Sequence, residues 1–202
     1  MTDLFAEKAR DYDERPLPQQ ISEGVFAKLD ARVPLRPDQS VLDFGAGTGL
    51  LASKMAPRVG SILAVDVSPA MLEQLADKAA LQGKVRTVCQ DILQDPLDLQ
   101  VDLVVSAMAL HHVEDTDRLL RVLRSHLRPG GRIALADLDA EDGDFHPPDT
   151  EGVFHHGFDR GALGRRAEAA GFAAVEFETA CEVEREGRRY PIFLLTAERP
   201  GA

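Results

Sequence analysis

Three aspartates, each at the end of an apolar run in the first half of the chain, are the residues best suited to bind a ligand. The first, Asp43, follows Val41 and Leu42 and precedes three glycines at alternate positions, Gly45, Gly47 and Gly49. Glycine allows a sharp turn and lets a ligand approach bare main chain. Residues 50–56 have helical character, and a helix start offers free N–H groups that attract an anion. This stretch therefore predicts a cofactor cradle.

The second acid, Asp66, ends the next apolar run and lies 21 residues after Gly45. A carboxylate at this position can accept hydrogen bonds from both hydroxyls of a ribose. That role suits a dinucleotide as well as a single nucleoside. Residues 47–52 (GTGLLA) also match the relaxed dinucleotide pattern G-x-G-x-x-A, so the turn alone leaves the cofactor open.

The surroundings of the acids favour a nucleoside that carries an ammonium group. Asp43 is placed to accept a hydrogen bond from an ammonium, which a nicotinamide cofactor lacks. The third acid, Asp91, with Ile92 beside it, suits the amino group and the face of an adenine. The sequence also has no Tyr-x-x-x-Lys pair for the proton relay of a dehydrogenase. Because a buried carboxylate without a partner is costly, we expect a ligand to satisfy all three acids.

Strand-like and helical patterns alternate from residue 40 onward, which predicts an α/β fold. Five alternating strands indicate a parallel, doubly wound sheet covered on both faces. Two final runs, at about 173–184 and 190–198, are separated by a break at 186–189 and predict an antiparallel hairpin. We therefore expect a mostly parallel seven-stranded sheet with an antiparallel C-terminal hairpin. Ligands of such sheets bind at the carboxyl ends of the strands, where the three acids lie.

The chain of 202 residues is long enough for one domain and too short for two full ones. We expect a single domain with an N-terminal helical cap (1–39), a cofactor-binding core (40–139), a loop or cap (140–157), and a helix plus the hairpin (158–202). An amphipathic helix is predicted at about 19–31. Tyr12, in the polar segment before this helix, is either a surface aromatic or part of an arm that folds over the ligand.

The order of these motifs resembles the class I S-adenosylmethionine-dependent methyltransferases, specifically the small-molecule type known as methyltransferase type 11/25. The resemblance covers about residues 5–198. It is carried by VLDFGAGTG (41–49), AVDVSPAML (64–72), CQDI (89–92), DLVVSAMALHHV (102–113) and LRPGG (127–131). It implies a Rossmann-like methyltransferase fold, S-adenosylmethionine as the cofactor and S-adenosylhomocysteine as the product.

The resemblance also implies a cofactor site at the ends of the first four strands. Its members are Asp43, Gly45, Ala46, Gly47, Asp66, Val67, Met71, Asp91, Ile92 and Ala107. The methionine part would lie on the glycine turn, the ribose at Asp66, the adenine among the residues from Val67 to Ile92, and the sulfonium near Ala107. Met71 and Ile92 could equally belong to the apolar core.

Five of the six histidines fall where the mouth of such a site is expected. His111 and His112 follow the fourth strand, and His146, His155 and His156 lie in the loop after the fifth. Either His111 or His112 could act as a general base or orient the acceptor. The alternatives are solvent-facing loop histidines, or a metal site with Asp137 or Asp139. The spacing matches no known metal-ligand pattern, so we predict no metal.

Composition narrows the classes of partner. The net charge of −11 argues against nucleic acid, which needs a basic face. No apolar run approaches the roughly 20 residues that cross a bilayer, and the start lacks the pattern of a signal peptide. Cys89 and Cys181 have neither metal-ligand nor redox spacing. These features predict a cytoplasmic protein without a membrane partner.

The acceptor class is indicated by residues 106–109 (SAMA). Enzymes of similar fold that act on nucleic-acid or protein amides carry Asn-Pro-Pro-Tyr there, so the departure favours a small molecule. Residues 1–30 and 139–158 provide little material to cover the acceptor. We therefore expect either a modest pocket or one completed by a partner chain, such as a second copy in a homodimer. Two other functions remain open: a nicotinamide-dependent oxidoreductase, and a non-catalytic module that binds S-adenosylmethionine.

Overall fold

The computed structural model describes residues 3–147 and 150–201 of the chain. In these ranges the strands form one seven-stranded sheet in the order β3-β2-β1-β4-β5-β7-β6. The strands are β1 Ser40–Phe44, β2 Ser61–Asp66, β3 Val85–Cys89, β4 Val101–Ala107, β5 Leu127–Leu138, β6 Ala173–Arg185 and β7 Arg188–Glu198. The α-helices are α1 Ala6–Ala9, α2 Pro16–Arg32, α3 Leu50–Met55, α4 Pro69–Ala76, α5 Thr116–Ser125 and α6 Arg160–Ala169. Short 3₁₀ helices span Tyr12–Glu14, Ala79–Leu81 and Leu110–His112.

The first five strands are parallel, and the strand order reverses between β1 and β4. Asp43 on β1 pairs in register with Ala64 on β2 and Val105 on β4. The glycine turn therefore leaves the sheet at the topological switch point, where open α/β sheets bind their ligands. The prediction of a mostly parallel doubly wound sheet is confirmed.

The predicted C-terminal hairpin is also confirmed, and its strands are arranged in a way the sequence pattern did not indicate. β7 is antiparallel to both β5 and β6 and lies between them, so β6 forms the edge. The reason is burial: residues 192–195 of β7 are buried on both faces, as an inner strand requires. Charged residues on β6 suit an exposed edge. Glu186 and Gly187, with φ of +52° and +76°, make the two-residue turn.

Alternate strand residues face two apolar layers, as the period of a strand requires. Val41, Ile62 and Leu103 pack on the side of α2, α3 and α4. Leu42 and Val104 pack on the side of α5 and α6. By the same alternation Asp43 shares the face of Val41, whereas Asp137 on β5 shares the face of Ile133 and Leu135. The two acids therefore reach the same edge of the sheet from opposite faces.

The helices follow local signals in the sequence. The predicted helix at 19–31 is α2, which starts three residues earlier with Pro16 at its first turn, where a missing N–H costs nothing. Asp115 caps α5 by accepting a hydrogen bond from the Arg118 N–H at 2.8 Å. Asp159 caps α6 by accepting one from Ala162 at 2.7 Å. No helix in the described ranges is both long and apolar enough to cross a bilayer.

Candidate active site

The glycine turn after β1 holds its shape through positive φ angles of +66° at Gly45 and +54° at Gly47. The Gly45 N–H donates to the carbonyl of Val65 at 2.9 Å, which ties the turn to β2. A Cβ on Gly45 would lie 2.3 Å from the Cβ of Ala109, whereas a Cβ on Gly47 would meet nothing within 4 Å. Gly45 is therefore required for packing, and Gly47 presents bare main chain to open space.

Asp43 lies beneath this turn with 2% of its surface exposed. Among the described residues its Oδ2 has no hydrogen-bond partner. Burial, with a smaller contribution from the nearby charge of Asp66, raises the pKa of the Asp43 carboxyl to about 8. An orphaned buried carboxylate oxygen is costly, and a ligand ammonium would satisfy it. The site therefore fits a cofactor with an amino group beside the glycine turn.

Asp66, at the end of β2, is oriented by the backbone around it. Its Oδ2 accepts a hydrogen bond from the Gly47 N–H at 2.7 Å, and its Oδ1 accepts one from the Ser68 N–H at 2.9 Å. Burial raises the pKa of the Asp66 carboxyl, and these two backbone donors oppose that rise. Each carboxylate oxygen can accept a second hydrogen bond, so Asp66 remains able to bind a hydroxyl pair.

Two of the three acids have hydrogen-bond partners in the protein, so the cost of an unpaired carboxylate argues for a ligand only at Asp43. Asp66 has the two backbone donors just described, and half-buried Asp91 accepts a hydrogen bond from the Leu93 N–H at 3.0 Å. The physical reason is that an aspartate at a turn accepts a hydrogen bond from the backbone N–H two residues further on, as Asp66 does from Ser68 and Asp91 does from Leu93. Asp43 precedes its turn by two residues and receives no such donor.

The five remaining residues that the resemblance assigns to the cofactor differ in exposure. Val67 is 54% exposed at the edge of the sheet, whereas Ala46 and Ala107 are half-buried beside the core. Met71 and Ile92 are buried at 3% and 0% exposure. In this structure the last two side chains offer an adenine no free surface, and Ile92 packs in the apolar layer with Leu42 and Leu63.

The arm, residues 3–15, lies across the same edge of the sheet. Asp13 accepts a hydrogen bond from Thr48 Oγ1 in the glycine turn at 2.5 Å and pairs with Lys78 at 2.5 Å. Asp3 accepts a hydrogen bond from Ser68 Oγ at 2.8 Å. Half-buried Tyr12 is close to Asp66: burial raises the pKa of its phenol, and the Asp66 charge adds to the rise. Tyr12 therefore lies on the cofactor side of the sheet edge, and its role over a bound ligand stays a prediction.

Sequence reasoning named Tyr12 but missed Asp3, Asp13 and Thr48. The available signal was that acidic residues flank Tyr12 in the polar segment before α2. Their partners are 65 and 35 residues away along the chain, a separation no local pattern bridges.

His111, His112 and His146 meet at the other half of this edge. The ring centroids of His111 and His112 are 4.1 Å apart, and those of His111 and His146 are 5.0 Å apart. His111 is 1% exposed, so the alternative of a solvent-facing loop histidine was wrong for this residue. His155 and His156 lie outside this histidine cluster: His155 contacts the carbonyl of Val113, and His156 faces Glu141.

Asp137, fully buried on β5, holds His111 in place. Its Oδ1 lies 2.7 Å from His111 Nδ1. The carboxylate also accepts hydrogen bonds from the N–H groups of Leu110 at 2.9 Å, His111 at 3.2 Å and Leu138 at 2.8 Å. Asp137 was named from the sequence only as a metal ligand. Across residues 3–147 and 150–201 no three acidic, histidine or cysteine side chains are arranged to hold a metal ion.

The two outer rings of the histidine cluster are neutral at neutral pH. Burial is the main cause that lowers the pKa of both His112 and His146 to about 4, and the neighbouring His111 ring contributes to the shift because it would repel a second imidazolium. The Nδ1 of His112 lies 2.6 Å from the carbonyl of Gly152, which fixes this nitrogen as the donor. Neutral imidazoles at the mouth of a site can accept a proton.

The chain matches a known family over its core. A family model described as "Methyltransferase domain" matches residues 41–131. An uncharacterized methyltransferase of Geobacillus thermodenitrificans is 30% identical over 164 residues, which cover 77% of this chain and 75% of that protein. An uncharacterized methyltransferase of Mycobacterium bovis is 41% identical over 110 residues, covering 54% of this chain and 55% of that one. The chain spans about half the length of the latter relative.

Solved structures share the fold. The complex of DhpI with S-adenosylhomocysteine superposes with a TM-score of 0.75 at 23% identity, covering 98% of this chain and 95% of that one. With the parallel sheet, the glycine turn and the acids at the switch point, these matches define the class. The chain belongs to the class I S-adenosylmethionine-dependent methyltransferases of the 11/25 type.

Proposed function

We propose that this chain transfers a methyl group from S-adenosylmethionine to a small-molecule acceptor. The observation that carries the proposal is the buried Oδ2 of Asp43, which has no partner among the described residues and lies under the glycine turn. A nicotinamide dinucleotide has no ammonium to satisfy this oxygen, whereas the methionine part of S-adenosylmethionine has one. The relatives named as methyltransferases support the same activity.

The residues that would hold the cofactor follow the ends of β1 to β4. Asp43 would face the amino group, the turn from Gly45 to Gly47 the methionine part, and Asp66 the ribose. Val67 would lie beside the adenine, near Asp91, and Ala107 would lie near the sulfur. When bound, S-adenosylmethionine supplies a methyl group on a positively charged sulfur, which is already a good electrophile. The protein then mainly aligns the acceptor and excludes water.

Two segments support a small acceptor because they close over the edge of the sheet. The arm meets the cap loop, which consists of residues 140–147 and 150–157 in the described structure: a methyl group on Gly152 would come within 3.0 Å of Leu4 Cδ1. Phe5 of the arm contacts the ring of His112, with centroids 5.2 Å apart. An acceptor under this cover must be compact. We propose His111 and His112 as residues of the acceptor side, and Tyr12 as part of the cover over the cofactor side.

The acidic net charge of −11 and the two free cysteines, Cys89 and Cys181, support a cytoplasmic setting and a partner other than nucleic acid. A second copy of the chain would extend the thin cover over the acceptor. Sedimentation of the protein at several concentrations tests this homodimer.

Calorimetric titration with S-adenosylhomocysteine tests the cofactor assignment. We expect binding of S-adenosylhomocysteine and none of NAD or NADP. The Asp66→Ala variant should bind on the order of 100-fold more weakly, because a carboxylate that accepts two ribose hydrogen bonds contributes about 1.5–3 kcal/mol per bond. Asp77→Ala, an exposed acid just after α4, is the matched control and should bind normally.

Binding of NAD in place of S-adenosylhomocysteine would show the oxidoreductase alternative to be right. Binding of S-adenosylhomocysteine with no transfer of labelled methyl to any member of a broad acceptor panel would instead favour the non-catalytic module. Unchanged affinity in Asp66→Ala would contradict the ribose assignment alone.

A further inference from the structure

Flat rings form a continuous wall on the acceptor half of the site. Neighbouring ring centroids lie 5.2 Å apart from Phe5 to His112, 4.1 Å from His112 to His111 and 5.0 Å from His111 to His146. The row continues through Phe145 at 5.0 Å and Tyr190 at 5.2 Å. The rings come from the arm, the end of β4, the cap loop and β7. Neighbouring rings are inclined to one another by 41–82°, and the rings of His111, Phe145 and Tyr190 are only 1–5% exposed. The half-buried rings of Phe5, His112 and His146 are therefore the ones that a planar ligand would contact, since aromatic rings pack well on other rings.

The rings of the histidine cluster differ in what they can touch. His111 and its partner Asp137 are 1% and 0% exposed, so an acceptor cannot reach them directly. His146 is half-buried in the cap loop, and its Nε2 lies 3.2 Å from the Nε2 of His111. The His111 Nδ1 also lies 2.7 Å from Asp137. These two contacts form a line from the half-buried ring of His146 through His111 to the buried carboxylate of Asp137.

Two cationic side chains and one acidic side chain lie beside these rings. Lys8 of the arm lies 6.0 Å from the centroid of the Phe5 ring, and the Arg185 guanidinium of β6 lies 5.7 Å from that of Phe145. Lys8 acts on both His112 and His146, and Arg185 on His146; Asp137 is the acid that faces His112. A cation beside Phe5 and a second cation beside Phe145 repel an ammonium acceptor and attract an oxygen that becomes an anion.

We propose that the acceptor is an aromatic hydroxyl compound and that His146 takes its proton, which His111 and Asp137 then help to hold. This proposal rests on the proposed methyl transfer. The acceptor O–H bond breaks, and its proton goes to Nδ1 of His146. The Nε2 proton of His146 moves to Nε2 of His111, whose positive charge lies beside the Asp137 carboxylate. The acceptor oxygen bonds to the methyl carbon as the carbon–sulfur bond breaks, and that electron pair stays on a now neutral sulfur.

His146 is the catalytic residue in this assignment because it alone touches the acceptor proton. His111 and Asp137 are positioning residues that fix the ring tautomers and stabilise the charge. His112 donates its Nδ1 proton to the carbonyl of Gly152 at 2.6 Å, and among the described residues its ring makes no hydrogen bond to His111 or Asp137, so in this assignment it forms part of the wall.

Binding of 4-nitrophenol to the full chain, saturated with S-adenosylhomocysteine, tests the relay without any turnover. The phenolate absorbs at longer wavelength than the phenol, so a pH titration reports the pKa of the bound probe. We expect the wild type to lower that pKa by about one unit or more, as a nearby forming cation does. His146→Gln and His111→Gln should lose most of this shift. His156→Gln, an exposed histidine of the same cap loop outside the cluster, should keep it.

Methyl transfer to matched pairs of aromatic acceptors, identical except for a hydroxyl or an amino group, gives the second test. We expect the hydroxyl member to be the better acceptor and His146→Gln to lower its rate by about 100-fold at neutral pH, the usual size of general-base catalysis. The deficit should shrink at high pH, where the hydroxyl ionises in water. A purely structural role for His146 would give a deficit that does not depend on pH.

Three results would overturn the relay: no shift in the pKa of the bound probe, an equal shift in His146→Gln, or preference for the amino member of each pair. Loss of the shift in His112→Gln but not in His146→Gln would also overturn it. These failures are distinct from failure of the proposed function, since S-adenosylhomocysteine binding is measured first by calorimetry. If that ligand binds and the probe shows no shift, only the relay is wrong.

Discussion

Two buried aspartates at the same edge of the sheet have opposite environments. Asp43 on β1, beneath the glycine turn, has an Oδ2 without a partner in the described structure. Asp137 on β5, beside the histidine cluster, accepts hydrogen bonds from three backbone N–H groups and contacts the ring of His111. They lie on opposite faces of the sheet.

The difference shows how this fold separates two tasks. A carboxylate whose partners all come from the protein stabilises the native state and holds a side chain in position. A buried carboxylate without partners destabilises the free protein. Binding of a cation beside it then stabilises the native state. The cofactor half of the site therefore depends on a ligand, whereas the acceptor half is assembled by the protein itself.

The largest expected effect comes from removing the paired acid. Asp137→Ala should lower the free energy of unfolding by about 3–5 kcal/mol, because it leaves buried donors and a buried histidine without their acceptor. Urea unfolding with a tryptophan-independent probe such as circular dichroism measures this. Asp139→Ala, two residues further, removes only a partly exposed pair with Arg160 and should cost about 1 kcal/mol or less. Equal losses in the two variants would contradict the contrast between the acids.

The unpaired acid should behave in the opposite way. Its pKa of about 8 in the fold lies above the ordinary value of 3.8, so the native state binds the extra proton. Stability from this group is therefore present at low pH and is lost as the pH rises from about 4 through 8, at up to about 1.4 kcal/mol per pH unit.

Asp43→Asn removes this dependence and should be more stable than the ligand-free wild type at pH 8, by on the order of 2 kcal/mol. The same variant should lose affinity for S-adenosylhomocysteine. Thermal unfolding between pH 5 and 8.5, with and without that ligand, measures both effects. A variant that is less stable than the wild type at every pH would show that Asp43 has a partner after all.

The glycines of the turn divide between packing and binding. Gly45→Ala should cost about 2 kcal/mol or more of stability, because its methyl group would clash with Ala109 in addition to the positive φ. Gly47→Ala meets open space and should cost about 1 kcal/mol from φ alone, yet weaken S-adenosylhomocysteine binding strongly. Urea unfolding and calorimetry on both variants separate the two effects. If the two variants lost the same affinity for S-adenosylhomocysteine and the same stability, the division between packing and binding would be wrong.

The smallest effect is expected for the contact between the arm and the turn. Asp13→Ala removes the hydrogen bond from Thr48 and the pair with Lys78. It should weaken S-adenosylhomocysteine binding by about 3- to 10-fold, because Asp13 contacts the turn and not the ligand, so only part of the about 1.5–3 kcal/mol of a charged hydrogen bond affects binding. Asp11→Ala, whose pair with Arg15 stays within the arm, is the control. If both variants bind normally, the arm does not cover the cofactor.

Much of the cofactor half could be predicted because its signals are local. Asp43, the glycines and the helix start stand within 14 residues of one another, and a parallel sheet brings the ends of its strands to one edge. Prediction was weaker for Met71 and Ile92, whose apolar side chains suit a core and an adenine surface equally well. The structure buries both in the protein.

The sequence by itself determined the α/β class, the hairpin, the glycine turn and the acids around it, because periodicity and turn chemistry act over a few residues. Only the tertiary structure decided that β7 lies inside the sheet, that the arm crosses the glycine turn, and that Asp137, His111 and His146 form one line. The two contacts of that line join residues that are 26 and 35 positions apart in the chain. Burial and long-range packing select such contacts, and no local pattern records them. The tertiary structure alone likewise shows that Asp43 Oδ2 has no partner among the described residues.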